Sequence, residues 1–381
     1  MRSPLALAVG TPAAAGLLLG VGAAAALLLA LGVWSRAAAA VAWLYLNAIA
    51  ARNPFVLDGG DAVLAALAFW SIFAELDGAW SLRRGARRAT VAALPVRLLE
   101  GQIALVYLAA ALAKSGPTWR SGEALYHVLQ DNDYARPLGM ALLAWPAACA
   151  LLTFATRAIE ALFVPLVLSP WRTRQTRALA AALAALMHLG IFAFMRVGMF
   201  CPAMLAGLCL FVPLGAPAAP SAEARPLPRA LALALGLVFA ATAVNALAPR
   251  HTPRAVGAAL HRLGLHQSWT MFAPDGVAVD GYFAARAALA DGRVVDPLRL
   301  AAPRLLPSPA FAFSRWFKLR DNLAGNAQLQ AVLTRWLCRQ LPLVDVTLED
   351  WQRPTHAPGE PPARFTLASS EHRRCDRRPD P

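Results

Sequence analysis

Residues 91–113, VAALPVRLLEGQIALVYLAAALA, form one apolar run that ends at Lys114. An α-helix needs about 20 mostly apolar residues to cross the hydrocarbon core of a bilayer, and this run is long enough. Further apolar runs lie at 5–33, 37–50, 62–76, 138–155, 158–169, 178–195, 198–214 and 230–248. The 37–50 and 158–169 runs are short for a full crossing, so each is tilted, re-entrant or merged with a neighbouring run. The pattern predicts an α-helical polytopic membrane protein with about seven to nine apolar segments.

The overall composition also indicates a membrane protein. Apolar residues make up 58% of the chain and charged residues 15%, which is more apolar mass than a soluble fold can bury. The net charge is +14, yet no segment combines dense basic charge with interleaved aromatic residues. We therefore expect membrane lipid, and not nucleic acid, around the protein. The first run, 5–33, is too long for the apolar core of a signal peptide and is predicted to be retained.

Two arginine clusters predict the orientation, because cytoplasmic loops are enriched in basic residues. The clusters are Arg83, Arg84, Arg87 and Arg88, and then Arg172, Arg174 and Arg177. Both lie in the cytoplasm if 91–113 crosses outward, 138–155 crosses back and 158–169 is re-entrant. The same arrangement predicts that the 114–137 loop and the C-terminal part lie outside, on the periplasmic or extracytoplasmic side.

After the last apolar run, the long apolar segments give way to shorter patterns typical of strands, turns and an amphipathic helix. Residues 281–298 predict a β-hairpin around Asp291-Gly292, a dipeptide typical of tight hairpin turns. Residues 326–341 have the apolar spacing of a helix, and 344–351 and 364–369 predict two further strands. This part is therefore expected to be a small α+β domain.

These patterns predict a division of the chain into three parts. We expect 1–248 to form the transmembrane bundle, 249–370 the small C-terminal α+β extramembrane domain, and 371–381 a disordered tail. Cys338 and Cys375 lie in the C-terminal part and have no metal-binding spacing. They form one disulfide if that part faces an oxidising compartment, or they remain two free thiols.

Ionisable residues inside apolar runs are costly and are therefore functional candidates. Glu100, Tyr107 and Lys114 are spaced seven residues apart, so a helix places them on one face with about 10 Å between neighbours. Glu100 is too far from Lys114 to pair with it and is predicted to pair with Arg97, one turn away.

Lys114 is a candidate base. The chain has 36 basic residues, of which Lys114 and Lys318 alone are lysine, so a lysine at this position suggests more than a need for charge. Lysine can lose its proton when it is desolvated, whereas arginine stays protonated. The alternative is a helix-end lysine whose charge extends to the membrane interface.

His188 lies inside the 178–195 run, and two roles remain open for it. It is either a hydrogen-bonded packing residue or a residue that handles protons or contacts a ligand. Glu160 and Arg157, three positions apart, are predicted to form an ion pair at a membrane boundary. Asp58 and Asp61 are predicted to cap a helix start. The sequence contains no catalytic triad, phosphate loop or metal site.

Two segments of the chain resemble the HTTM family, whose membrane fold is shared with vitamin K-dependent gamma-carboxylase. The first contains Leu98, Leu99, Gln102, Ile103, Val106, Tyr107, Ala109, Lys114 and Trp119, and the second contains His188, Gly198-Met199-Phe200, Met204-Leu205-Ala206 and Leu210-Phe211. The Trp-Thr-Met-Phe-Ala-Pro run at 269–274, with the Asp-Gly hairpin after it, resembles the tail of bacterial HTTM proteins.

The resemblance implies that Lys114 takes the place of the lysine base that acts on the vitamin K hydroquinone. It thus implies a quinol-like cofactor, with Lys114 and His188 as catalytic candidates and Tyr107 and Gln102 as cofactor-binding candidates. It also implies a bacterial inner membrane protein. Two departures argue against glutamate carboxylation: the residues at 59–61 do not match a family histidine, and the C-terminal part is much smaller than the carboxylase luminal region.

Two classes of function follow from these observations. In the first, Lys114 takes a proton from a quinol-like or peptide substrate, and His188 orients the substrate or relays its proton. By resemblance to bacterial maturation factors, the substrate would be a secreted peptide. In the second, the protein is a non-enzymatic membrane assembly, peptide-maturation partner or immunity protein, and its polar groups hold the bundle together. A transporter is disfavoured because the sequence has no repeated half with matched broken helices.

Overall fold

The computed structural model of this chain is mostly helical, with one small sheet in its C-terminal part. The structure describes residues 12–77, 81–82, 92–131, 134–212, 227–297 and 316–375. The predicted arginine cluster at 83–88 and the last residue of the predicted hairpin, Leu298, lie outside these ranges.

Twelve α-helices of the described residues precede the sheet. They are α1 (Pro12–Ala30), α2 (Ser35–Arg52), α3 (Gly59–Ser71), α4 (Ala93–Ala113), α5 (Pro117–Ser121), α6 (Ala124–Val128), α7 (Pro137–Leu142), α8 (Pro146–Leu168), α9 (Thr173–Phe194), α10 (Phe200–Leu208), α11 (Arg229–Leu247) and α12 (Arg254–Arg262).

Five of these helices, namely α1, α4, α8, α9 and α11, are long and apolar enough to cross a membrane. Two shorter apolar segments, Gly59–Ser71 and Phe200–Phe211, accompany them. The structure therefore supports a helical membrane protein with five candidate spans among the described residues. The predicted count of about seven to nine segments is not confirmed.

For 158–169 the re-entrant alternative is wrong, and the alternative in which it merges with the neighbouring run is confirmed. The apolar runs at 138–155 and 158–169 are largely joined in α8, one continuous helix of 23 residues that contains Pro165. Arg157 separates the two runs in hydropathy, but arginine is a good helix former and does not interrupt the backbone. Hydropathy alone therefore divided one long helix into two shorter runs.

The described residues form two compact units. The first unit consists of Met1–Gly116, Phe154–Phe192 and Met199–Pro274. An aromatic contact joins α3 to α11, since the rings of Trp70 and Phe239 lie 5.8 Å apart. Such aromatic pairs add a favourable contribution to the packing of these helices.

The start of α3 is fixed by the predicted aspartate cap, which is confirmed. The Asp58 carboxylate accepts hydrogen bonds from the backbone N–H groups of Gly60 and Asp61, and the Asp61 carboxylate accepts one from the backbone N–H of Asp58. Asp58 Oδ2 also accepts a hydrogen bond from the N–H of Met199 at 3.3 Å. A Cβ on Gly60 would overlap the backbone of Met199, so a glycine is needed for α3 to approach the start of α10.

The second unit consists of Pro117–Thr153, Ala193–Gly198 and Asp275–Pro381. It contains a four-stranded sheet and two helices, namely β1 (Val279–Leu289), β2 (Val294–Val295), α13 (Trp316–Leu323), α14 (Ala327–Gln340), β3 (Leu343–Pro354) and β4 (Thr366–Arg374). The strand order is β2-β1-β3-β4, with antiparallel pairing throughout. Leu333 and Leu337 of α14 pack against Val346 and Leu348 of β3.

The predicted hairpin is confirmed. Leu289 donates its N–H to the carbonyl of Arg293 at 2.9 Å, and Gly292 has a φ of 83°. A positive φ in a tight turn favours glycine, which explains the Asp-Gly dipeptide. The predicted helix and the two further strands are also present, as α14, β3 and β4.

The cysteines of the C-terminal part form a disulfide between Cys338 and Cys375, which decides between the two alternatives that the sequence left open. The last strand runs to Arg374 and so extends beyond residue 371, where the disordered tail was expected to begin. Residues 376–381 lie outside the described part. Residues 249–274 group with the first unit, and the division between membrane and extramembrane parts at 248 stays a prediction.

Within the second unit, the 117–131 loop packs on the C-terminal domain. The backbone N–H and the hydroxyl of Thr118 both donate to Asp275 Oδ1 at 2.9 Å. Gln130 donates to the carbonyl of His356 at 2.8 Å and accepts from its N–H at 3.0 Å. The loop that follows α4 and the C-terminal domain are thus parts of one packed structure.

Candidate functional site

Lys114 forms a buried ion pair with Glu160. The lysine follows the last residue of α4, and its Nζ lies 2.8 Å from Glu160 Oε1 on α8. Each residue is 7% exposed. The sequence predicted Arg157 as the partner of Glu160 at a membrane boundary, but the glutamate is buried and turned toward α4. The structure therefore contradicts the alternative in which the Lys114 ammonium extends to an exposed membrane interface.

Tyr107 and His188 form a second buried contact. The Tyr107 hydroxyl on α4 lies 2.9 Å from His188 Nε2 on α9. Either atom can be the donor, because the tautomer of the imidazole decides the direction. His188 is 1% exposed, and its ring also lies 5.5 Å from that of Phe200. Both packing and hydrogen bonding therefore fix the imidazole.

Phe163 connects the two contacts. Its ring stacks on that of Tyr107 with 4.0 Å between centroids, and it lies on α8 three residues after Glu160, on the same side of the helix. We refer to Tyr107, Lys114, Glu160, Phe163 and His188 as the buried cluster. The structure thus brings Lys114, His188 and Tyr107 into one cluster, to which α8 contributes Glu160 and Phe163.

Two atoms of the buried cluster lack a hydrogen-bond partner within the described part of the chain. They are Glu160 Oε2 and His188 Nδ1. Buried polar atoms in folded proteins nearly always have partners, so each of these atoms leaves a hydrogen-bonding position open in otherwise aromatic and apolar surroundings. The cluster therefore has the means to bind a polar group of a mainly apolar molecule.

Glu100 lies apart from this cluster, as its spacing predicted. Its carboxylate accepts a hydrogen bond from Arg97 at 2.7 Å, which confirms the predicted pair, and it also pairs with Arg177 of α9. Two guanidinium groups thus compensate one carboxylate. Glu100 is accounted for by this ion-pair network.

Gln102 belongs to a separate hydrogen-bonded network. Its Oε1 accepts from the indole of Trp70 at 3.2 Å and from Gln267 Nε2 at 2.9 Å. Gln267 in turn accepts from the indole of Trp269 at 2.9 Å, and its N–H donates to Asn245. Gln102 is five residues from Tyr107 and so faces another side of α4. The network attaches the 267–269 segment to the bundle.

The helical bundle agrees with the comparison to protein families. Residues 11–215 match the family model described as HTTM domain, which is more than half of the chain. The chain belongs to the HTTM family. The matched range contains all residues of the buried cluster. Comparisons with curated proteins and with solved structures returned no match.

Sequence reasoning did not find two residues of this HTTM protein's buried cluster, Glu160 as the partner of Lys114 and Phe163 as the link to Tyr107. A signal for the first was present, because an acidic residue inside the apolar run of a span needs a partner from another helix as readily as from its own. Phe163 carried no signal, since aromatic residues are common in apolar helices.

The buried cluster combines aromatic rings with two open hydrogen-bonding atoms, which are the groups that could hold a quinol-like molecule. Within the described ranges, no set of three or more His, Cys, Asp or Glu side chains could hold a metal. A quinol-like group presents a flat ring and two oxygens. The aromatic rings of Phe163 and Phe200 and the open hydrogen-bonding atoms of Glu160 and His188 are suited to such a group.

Proposed function

We propose that this HTTM protein is a membrane enzyme in which Lys114 acts as a base at the outer end of α4. The observation that carries the proposal is the Lys114–Glu160 pair, buried in the same cluster as the Tyr107–His188 contact. A buried pair of charges is costly to maintain for stability alone, because apolar residues in its place are often at least as stabilising. Ionisable groups inside a membrane bundle are functional candidates for the same reason.

The choice of lysine supports a base. Arginine stays protonated in any protein environment, whereas a desolvated lysine can give up its proton and accept another. Lys114 and Lys318 are the two lysines among 36 basic residues, and Lys114 lies inside the cluster. His188, held by Tyr107 at 2.9 Å, would orient the substrate or relay its proton.

The substrate class rests on the family resemblance to vitamin K-dependent gamma-carboxylase and on the fit of the cluster. A quinol-like molecule would be held by Glu160 and His188, against Tyr107 and Phe163, and it would supply reducing equivalents. Gln102, which the resemblance also suggested, would act at a distance through the packing of α4. A secreted peptide is the second substrate class, by resemblance to bacterial maturation factors. The small C-terminal domain argues against glutamate carboxylation.

We also propose a bacterial inner membrane location with the C-terminal domain on the extracytoplasmic side. The Cys338–Cys375 disulfide supports an oxidising compartment. With α8 as a single crossing, two candidate spans, α4 and α8, separate the two arginine clusters, which keeps both clusters on one side. An extracytoplasmic C-terminal domain then requires three crossings after the second cluster, so the short apolar segment Phe200–Phe211 has to cross between α9 and α11. The 117–131 loop packs on the C-terminal domain, which supports placing these two segments on the same side of the membrane.

The alternative is a non-enzymatic membrane partner, such as an assembly or immunity protein. The observation in its favour is that Lys114, Glu160, Tyr107 and His188 all have partners across helices, as packing residues would. Under this alternative a residue that keeps the positive charge at 114 preserves function. Under the enzyme proposal it does not.

One experiment separates the two proposals. A bacterial host expresses the unchanged protein, Lys114→Arg, Lys114→Ala or Lys318→Arg at matched membrane levels, and mass spectrometry compares its secreted peptides and membrane quinones with those of a host without the protein. We expect a secreted peptide or a quinone to be modified in hosts that express the unchanged protein or Lys318→Arg. The same molecule should stay unmodified in hosts that express either Lys114 variant. Full function of the Lys114→Arg variant would rule out Lys114 as a base.

A further inference from the structure

A basic segment directly follows α11, the last of the five candidate spans. α11 has 19 residues and is therefore about 28 Å long, close to the thickness of the hydrocarbon core of a bilayer. The helix ends at Leu247, a 3-10 turn covers Pro249–His251, and α12 follows. A crossing by α11 thus places this turn and the start of α12 at the level of the lipid headgroups.

Three exposed arginines of this segment lack an acidic partner within the described part of the chain. They are Arg250, Arg254 and Arg262, and none of them forms an ion pair with a residue in those ranges. The sequence contains no aspartate or glutamate from 224 to 274. Elsewhere in the same unit, by contrast, two arginines share the carboxylate of Glu100. The segment therefore carries positive charge that no carboxylate of its own balances.

The apolar face of α12 determines where its arginines point. Leu260 is buried in the core of the first unit, and Val256 and Leu263 pack against the same cluster. The indole of Trp43 donates a hydrogen bond to the carbonyl of Leu263 at 2.8 Å, which holds the end of α12 on α2. Arg254 precedes Val256 by two positions and Leu263 by nine, so it lies on the opposite face of the helix. The bundle thus presents these arginines outward on a fixed helix.

We propose that Arg250, Arg254 and Arg262, which we call the basic face, bind the phosphate groups of anionic phospholipids in the adjacent leaflet. A guanidinium group presents paired N–H donors that match two oxygens of a phosphate. The negative headgroup also supplies the charge that the segment lacks. Because the basic face belongs to the same unit as α11, the proposal holds for either orientation in the membrane and whether or not Lys114 acts as a base.

The chemistry of the headgroup predicts a preference among phospholipids. Phosphatidylglycerol and phosphatidylcholine both carry a phosphodiester, but the choline ammonium neutralises the charge of its own headgroup. Three arginines without carboxylates therefore favour phosphatidylglycerol. A basic residue next to an anionic membrane surface typically strengthens association about fivefold, so three of them should give at least about a tenfold preference.

Native mass spectrometry of the purified full chain tests this preference. The chain in detergent is titrated with phosphatidylglycerol or with phosphatidylcholine of the same acyl chains, and the bound fraction gives an apparent Kd for each lipid. The unchanged chain is compared with a glutamine variant, a lysine variant and a control variant. The first two replace all three arginines of the basic face. The control replaces three exposed arginines of the C-terminal domain by glutamine, with the same change in net charge, namely Arg335→Gln, Arg364→Gln and Arg374→Gln.

We expect the glutamine variant to bind phosphatidylglycerol about tenfold more weakly than the unchanged chain and to bind phosphatidylcholine about equally well. The lysine variant keeps the charge and should stay within about threefold of the unchanged chain. The control variant should match the unchanged chain. Exposed arginines contribute little to folding, so all variants should melt at similar temperatures without lipid.

Three results would overturn the proposal. The first is equal affinity of the unchanged chain for the two lipids. The second is an equal loss of affinity in the glutamine and control variants, which would reflect net charge alone. The third is full competition by soluble glycerol phosphate at the lipid concentration, which would make the basic face a site for free phosphate esters and not for the membrane.

Discussion

The Tyr107 hydroxyl and His188 Nε2 lie 2.9 Å apart and are separated by 81 positions in the sequence. This contact joins α4 to α9 at the centre of the buried cluster. It uses the one ring nitrogen of His188 that has a partner, because Nδ1 has none among the described residues. The orientation of the imidazole thus depends on a single hydrogen bond and on the aromatic rings around it.

Tyr107→Phe tests this dependence. The substitution keeps the stacking on Phe163 and removes the hydroxyl, so both nitrogens of His188 become buried without a partner. We expect a loss of about 1–3 kcal/mol in the free energy of unfolding, measured by thermal unfolding in detergent. Tyr282→Phe, at an exposed position of β1, is the matched control and should change stability little. Equal effects of the two variants would contradict the buried hydrogen bond.

Gln102→Leu tests whether the Gln102 network serves packing or ligand binding. The leucine leaves the indole of Trp70 and the amide of Gln267 without their partner on α4. We expect a loss of about 1–3 kcal/mol in stability, seen as a lower melting temperature, with the function per folded molecule retained. Loss of function in well-folded protein would instead assign Gln102 to the cofactor site that the family resemblance suggested.

Gly60→Ala tests the close approach of α3 to the start of α10. The added methyl group would overlap the backbone of Met199, which cannot move as a side chain could. We expect a destabilisation of about 1–3 kcal/mol, as for other overpacked sites. Gly236→Ala in α11, where nothing lies within 4 Å of the added atom, should be neutral or stabilising by about 0.5–1 kcal/mol. A similar effect at both positions would argue against the approach.

Local patterns in the sequence predicted the elements and the short-range contacts well. The cap at Asp58, the Arg97–Glu100 pair and the Asp291-Gly292 turn each depend on residues within four positions of one another. Their geometry is determined by the local backbone, so residue spacing is enough to find them. Apolar runs likewise indicated where most of the long helices lie.

Contacts between distant residues could not be predicted in this way. The rule of three-residue spacing assigned Glu160 to Arg157, whereas its ion pair with Lys114 spans 46 positions. Gln102 meets Gln267 across 165 positions, which no spacing rule encodes. The site candidates Lys114, Tyr107 and His188 were found because polar groups are rare in spans. Their arrangement follows from how α4, α8 and α9 pack.

Replacing Cys338 and Cys375 by serine tests the disulfide and the compartment. The bond closes a loop of 37 residues, for which the loss of chain entropy in the unfolded state predicts about 3–4 kcal/mol of stabilisation. We expect the double variant to unfold at lower temperature, and the unchanged chain isolated from cells to resist alkylation at both cysteines until it is reduced. Cys209→Ser, at an exposed free cysteine, is the control. Alkylation before reduction would place the domain in a reducing compartment.

His127 gives the second unit a predicted dependence on pH. Burial lowers the pKa of His127 from its ordinary value of 6.5, and the charge of His356 lowers it further, while Glu123 and other acidic residues oppose the shift. Its Nδ1 lies 2.8 Å from the hydroxyl of Thr355. The unfolded chain therefore binds this proton more tightly than the folded chain. The stabilisation from neutral His127 is complete above pH 6.5 and is lost as the pH falls through the lowered value.

His127→Gln should remove this part of the pH dependence, because glutamine can keep the contact with Thr355 and does not titrate. The measurement is the melting temperature between about pH 8 and about pH 5, in the unchanged chain, in His127→Gln and in His251→Gln, which alters an exposed histidine. We expect the unchanged chain and the His251 variant to lose stability on acidification more steeply than His127→Gln. Three parallel curves would mean that His127 does not link the 117–131 loop to the C-terminal domain in a pH-dependent way.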